Sequence, residues 1–199
     1  MSPAPPIMSP DRLSAFTDGV IAIIITIMVL ELPVPHGNSL AALKLALPLF
    51  GAYALSFINV GIFWVNHHHM FHLAKRVDGR VLLANLFLLF WLSLVPFVIR
   101  WIGEVAISPM PVAAYGIILT MASIGYLLIE RALIAAEPGQ SALDDALGSK
   151  KKEIVSFILY MIGIPLAFVW VWLAVAIYVG NALIWFMPDR RVERTLPDG

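Results

Sequence analysis

Apolar and polar positions alternate along this chain in blocks, and the blocks have the length of membrane crossings. The first, Asp11–Leu32, opens with Pro10 and a potential cap at Asp11. It carries Arg12, Thr17 and Asp18, then runs apolar from Gly19 to Leu30 with only Thr26 interrupting. Glu31, Pro33 and Pro35 close it, and no helix continues through such prolines. Leu13 to Leu32 gives about 30 Å of α-helix, the thickness of a bilayer's hydrocarbon core. A second block runs from about Ala42 to Val65 and ends wet, as Asn66–His72. A third covers about Val81–Trp101 and contains Pro96. Pro109 and Pro111 are expected to break the chain before a fourth block, about Val112–Ile129, which stops at Glu130 and Arg131.

Ala135–Glu153 is the long polar loop. The apolar stretch after it, Ile154–Met187, would reach about 50 Å as a single helix, too long for one crossing. Two helices reversing within Ala167–Ala174, just after Pro165, are expected. The pattern therefore predicts an all-α polytopic membrane protein with six transmembrane helices, although a strict hydropathy count returns five. Residues 1–10 read as an N-terminal tail, 11–188 as one six-helix unit and 189–199 as a C-terminal tail.

Charge orients this bundle. Lys and Arg fall before the first span (Arg12), after the second (Lys75, Arg76, Arg80), after the fourth (Arg131, Lys150, Lys151, Lys152) and after the last (Arg190, Arg191, Arg194). Lys44 and Arg100 are the exceptions. The positive-inside rule then puts both termini in the cytoplasm. Trp64, Trp101 and Trp185 near span ends fit an interfacial belt.

Composition agrees with this reading. Some 60% of residues are hydrophobic and 13% charged, against about a quarter charged in soluble domains, and mean hydropathy is +0.88. Formal net charge is zero, which gives no reason to expect nucleic acid. Cysteine is absent, which removes disulfides and thiolate chemistry. The proline-rich N-terminus lacks the charged and apolar regions of a signal peptide.

Candidate chemistry concentrates in the first two spans. At about 100° per residue, Phe16, Val20, Ile23, Ile27 and Leu30 form one stripe, with Gly19 and Thr26 along its edge. Thr17 and Asp18 point away from it. Such a stripe can simply face lipid or pack, or it can line something. A carboxylate inside a span needs a partner and marks a functional site by default. For Asp18 the candidates are Arg12 and the group His67, His68, His69 and His72, with Trp64 and Asn66 as further donors. These groups either staple two helices together or staple and gate. His68 and His72 have the i, i+4 spacing of metal ligands, but no acidic or Cys ligand stands near them in sequence; anchoring hydrogen bonds are the preferred reading and no metal is assigned. Glu31 ends the first helix on the outer side, either as an interfacial carboxylate or, if the stripe lines a pore, as a group that concentrates cations. No nucleophile motif or phosphate loop is present, so an enzyme is not expected.

Two motifs resemble a known family. Arg12-x-x-x-Phe16-Thr17-Asp18, followed by Gly-Val-Ile-Ala-Ile and Val-Leu-Glu-Leu, resembles the Arg-x-x-x-Phe-Ser-Asp signature of the transmembrane protein 175 potassium channels. Phe57, Trp64, His67, His68 and Phe71 resemble the pattern of that family's second helix. Thr17 replaces the family's serine and keeps the hydroxyl. The resemblance implies a single-unit prokaryotic member in the cell membrane: a homotetramer, its pore lined by the first helix, conducting K+ without a cofactor. It further implies a constriction at Ile23, Ile27 and Leu30, a potassium preference associated with Thr26, and a polar network of Arg12, Phe16, Thr17, Asp18, Trp64, His67 and His68. The other readings are a small proton-coupled secondary transporter using Asp18 and the histidines, and a scaffold or metal sensor built on the histidine cluster.

Overall fold

The structure, a computed structural model, describes residues 8–35, 37, 39–136 and 151–186. The two tail ends, with Arg190, Arg191 and Arg194, and most of the 135–153 loop lie outside the described residues.

Helix α1 spans Pro10–Leu30, with proline in its first turn, where a missing N–H costs nothing. Its buried residues are Leu13, Thr17, Ile21, Ile24 and Met28, spaced to share one face. Helix α2 spans Leu40–Leu73, and Ser39 caps it by accepting from the Ala42 N–H at 3.2 Å. Its 34 residues correspond to about 51 Å. It runs straight through Asn66–His72 instead of stopping at Val65. The Asn66 amide donates to the Ile62 carbonyl of its own helix at 2.7 Å, and Met70 and Phe71 are buried beyond it. The wet end is thus still amphipathic helix.

Asp78 caps α3, Gly79–Ser93, accepting from the N–H groups of Arg80 and Val81. Helix α4, Val95–Val105, follows after Leu94 alone. The third apolar block is therefore a broken rod. Pro96 has no N–H to offer the Leu92 carbonyl, and its ring crowds that turn. Helix α5, Pro109–Ala136, starts at the prolines expected to break the chain; they open a helix because first-turn positions tolerate them. The turn before it contains Ala106 at φ 62° and ψ −178°.

Helices α6, Lys151–Val169, and α7, Val171–Phe186, are separated by Trp170, inside the window where the reversal is expected. They run antiparallel, since the Trp185 indole donates to Ser156 Oγ at 2.8 Å and Tyr160 and Tyr178 pair closer to the turn. Among the described residues, five helical segments are long and apolar enough to cross a membrane, with α3 and α4 counted as one, and Val171–Trp185 is a sixth, shorter apolar helix. The five-against-six ambiguity of the sequence has this physical source.

Helix α5 is the centre of the bundle and packs against α3 and α6. Gly125 lets α3 approach closely: a Cβ there would lie 2.9 Å from the Leu88 Cα. Small residues at such contacts are how membrane helices gain packing energy without a hydrophobic effect. Helix α1 lies on the flank of this core, against α2, α3 and α4.

Candidate functional site

Helix α1 has two opposite faces. Leu13, Thr17, Ile21, Ile24 and Met28 point into the bundle. Phe16, Ile23, Ile27 and Leu30 are exposed on the far side, 51%, 58%, 39% and 79% respectively. Gly19 and Thr26 are exposed with them. Thr26 turns its hydroxyl back to the Ile23 carbonyl at 2.9 Å, which commits its proton and leaves lone pairs facing outward. Among the described residues of the chain, nothing covers this stripe.

The buried face carries a polar clamp. Asn85 of α3 donates from Nδ2 to Thr17 Oγ1 at 2.9 Å and accepts at Oδ1 from His67 Nε2 of α2, also at 2.9 Å. All three side chains are fully buried. With the amide oxygen as acceptor, His67 holds its proton on Nε2. Its ring stacks on Phe71 at 4.3 Å, and its Nδ1 is buried without a hydrogen-bond partner among the described residues. Three helices are thereby joined through one amide.

A second link sits at the edge of the same face. The Trp64 indole donates to Asp18 Oδ1 at 2.8 Å, and the Trp64 ring lies 6.0 Å from that of His68. Arg12 is exposed and forms no ion pair with Asp18 within the described residues. Asp18 is therefore served by a neutral donor from α2. His68 and His72 stack at 6.4 Å on the exposed side of α2. Among the described residues, no group of three or more His, Cys, Asp or Glu could hold a metal ion.

At the opposite end of α1, Glu31 lies 4.0 Å from Arg100 of α4, which also bonds Glu104 at 3.1 Å. Arg100, an exception to the charge pattern, thus sits between two carboxylates. The residues missed in the sequence are Asn85 and a further buried network. In that network Ser56 Oγ and Asn59 Nδ2 of α2 reach the Tyr115 hydroxyl at 3.2 and 3.1 Å, and the Tyr160 hydroxyl donates to Asn59 Oδ1 at 3.2 Å. A lone amide within an apolar block was the available signal for Asn85, because such a group in a bilayer must find a partner.

The described residues thus form a multi-helix bundle with one uncovered helix face. The comparisons give the family. Residues 12–96 match the family model described as endosomal/lysosomal potassium channel TMEM175. A potassium channel from Chryseobacterium sp. is 51% identical over 191 residues, covering 96% of this chain and all of that one. A potassium channel from Chamaesiphon minutus is 34% identical, covering 89% and 93%. The human endosomal/lysosomal proton channel TMEM175 is 38% identical over 96 residues, 42% of this chain and 19% of that protein. Among solved structures, the lysosomal potassium-selective channel TMEM175 homolog from Chamaesiphon minutus superposes with a TM-score of 0.73 at 28% identity, covering 89% of this chain and 96% of that one. This chain belongs to the TMEM175 family of potassium channels; it is a multi-pass channel protein and not an enzyme.

Proposed function

We propose that the chain forms a potassium-selective channel in which four copies surround an axis lined by α1. The observation that carries this reading is the exposed stripe of Phe16, Ile23, Ile27 and Leu30, set opposite the face that packs into the protomer. A pore helix needs one face for its own bundle and one for the axis. Ile23, Ile27 and Leu30 form the constriction: a ring of branched aliphatics sheds water, and an ion crosses only when the ring widens enough to admit its hydration. Potassium, less strongly hydrated than sodium, passes such a ring at lower cost. Thr26 presents oxygen lone pairs beside it.

Glu31 attracts cations at the outer mouth. Arg100 offsets part of that field, but Glu31 and Glu104 together leave one net negative charge there. The Thr17–Asn85–His67 clamp and the Asp18–Trp64 bond hold α1 to α2 and α3, so that the lining helix keeps its register. Arg12 and Phe16 flank this clamp, and His68 backs Trp64. Both termini face the cytoplasm, residues 11–188 form the conducting unit, and the protein acts in the plasma membrane.

Recording currents from Ile23→Ser in planar bilayers tests this. Conductance is expected to rise and the preference for potassium over sodium to fall. Both parameters unchanged would remove Ile23 from the constriction, and saturable flux without unitary steps would favour the proton-coupled transporter.

A further inference from the structure

A small cavity lies where α2, α5, α6 and α7 meet, towards the end of the bundle that carries Asn66 and His67. A water-sized sphere has about 30 Å³ of space in it. Its polar walls come from Asn59 and Asn66 of α2, Ser123 and Tyr126 of α5, and Ser156 and Tyr160 of α6. Ile62, Phe63, Leu127 and Trp185 supply hydrocarbon between them, and Glu153 adds a carboxyl. All of these residues are buried or half-buried, and none is exposed. No described residue of α1 lines the cavity, so it stands apart from the proposed pore.

The hydrogen bonds around the cavity narrow its occupant. Asn66 donates one Nδ2 hydrogen to the Ile62 carbonyl at 2.7 Å, which leaves its second amide hydrogen and its Oδ1 lone pairs. The Ser123 proton goes to the Leu119 carbonyl at 2.9 Å, and the Tyr160 proton to Asn59 Oδ1 at 3.2 Å. Both hydroxyl oxygens keep lone pairs. The walls therefore carry mostly acceptors, with a donor at Asn66. A small molecule that both donates and accepts answers them.

The other occupants fit worse. An acyl chain or a second copy of this chain would enter past exposed residues, and the lining has none. The space is also that of about two water molecules, at about 10–15 Å³ each. A cation stripped of its hydration needs a shell of oxygens in return, and Ile62, Phe63 and Leu127 interrupt that shell. Emptiness suits cavities lined by hydrocarbon alone, whereas polar groups left unpaired between membrane helices are costly. Water needs only two to four polar partners.

We propose that this cavity is a structural water site, holding one or two water molecules in each protomer with Asn66, Ser123 and Tyr160 as principal partners. The water joins α2 to α5 and α6, as Asn85 joins α2 to α1 and α3. Trp64 and His67, which hold α1 through Asp18 and Asn85, lie on the same turn of α2 as Asn66. The site thus backs the segment of α2 to which α1 is tied. It does not depend on where ions cross.

Crystal structures of the full chain, one grown in potassium and one in thallium, test this directly. One or two compact peaks are expected at about 2.7–3.2 Å from polar atoms of at least two of Asn66, Ser123 and Tyr160, without anomalous thallium signal. Radiolytic footprinting gives a second readout, because hydroxyl radicals formed from ordered internal water label the side chains beside it. The buried Tyr126 and Tyr160 are expected to be labelled in wild type. Ser123→Leu fills the space with hydrocarbon and is expected to lose that labelling. Ser123→Ala keeps the space and is expected to retain it. An empty cavity, a thallium peak, density continuous with a lipid or a second copy, or equal labelling in wild type and Ser123→Leu would each overturn the proposal.

Discussion

The Asn85 amide donates to the Thr17 hydroxyl across 2.9 Å in a site closed to solvent. Removing that amide leaves Thr17 and His67 without their shared partner. Hydrogen bonds between membrane helices are worth about 0.6 kcal/mol on average and up to about 1.7 kcal/mol. A buried group left unsatisfied costs more, about 1–3 kcal/mol. Asn85→Leu is expected to destabilise the protein by about 2 kcal/mol, read as a lower thermal transition in detergent. Thr17→Ser, which keeps the hydroxyl, is expected to be nearly neutral, whereas Thr17→Val is expected to lose about 1 kcal/mol.

Trp64 and Asp18 supply the second tie between α1 and α2, at 2.8 Å. Trp64→Phe keeps the ring and deletes the donor. A hydrogen bond to an ionised carboxylate contributes about 1.5–3 kcal/mol when shielded, and half-exposure here places the loss at the low end. Asp18→Asn retains an acceptor oxygen and is expected to cost less than Trp64→Phe in the same thermal assay. The reverse order would show that the charge, and not the hydrogen bond, is what holds this contact.

Ala106 ends α4 at φ 62°, ψ −178°, a conformation that glycine adopts freely and other residues adopt at about 1–3 kcal/mol. Glycine brings an entropic cost of about 0.5–1 kcal/mol. Ala106→Gly is therefore expected to stabilise the protein by about 1 kcal/mol, which a denaturant or thermal scan would register as a higher midpoint.

The α3–α5 contact turns on Gly125. A methyl group there would meet the Leu88 backbone at 2.9 Å, and backbone cannot rotate out of the way. Gly125→Ala is expected to push the helices apart at about 1–3 kcal/mol. Gly51→Ala, with open space around it, is expected to be neutral or slightly stabilising. The pair of variants separates crowding from helix propensity.

Asp78 makes part of the stability dependent on pH. Burial pushes its carboxyl up, but the N–H groups of Val81 and Arg80 and the Arg80 guanidinium together hold it below its ordinary value. The folded state therefore binds this proton less readily than the unfolded chain. The stabilisation is present above the usual carboxylate range and is lost as pH falls through the depressed value. Asp78→Ala is expected to cost about 0.5–2 kcal/mol at neutral pH and to flatten the acid limb of a stability–pH curve.

Much of this arrangement could be read from residue order, and the parts that could not have definable causes. The existence and order of the spans follow from apolar runs, and the reversal at Trp170 from a run too long for one crossing, but the length of α2 does not, because its polar end at Asn66–His72 stays helical. The break at Leu94 was hidden because proline in an apolar run marks a disturbance without saying whether the helix bends or stops. The stripe on α1 was visible from periodicity, but its freedom from packing was not, since periodicity separates faces without assigning neighbours. Asn85 escaped notice because its partners lie 68 and 18 positions away. For Asp18 the sequence offers Arg12, the histidine group, Trp64 and Asn66 together as partners, and only geometry singles out the Trp64 indole.

The 34 residues of α2 rise about 51 Å, some 20 Å more than a typical hydrocarbon core. A helix longer than the hydrocarbon is thick must tilt or project beyond it. His68, His69 and His72, exposed on the last turns of α2, mark the end at which this overhang meets the headgroups.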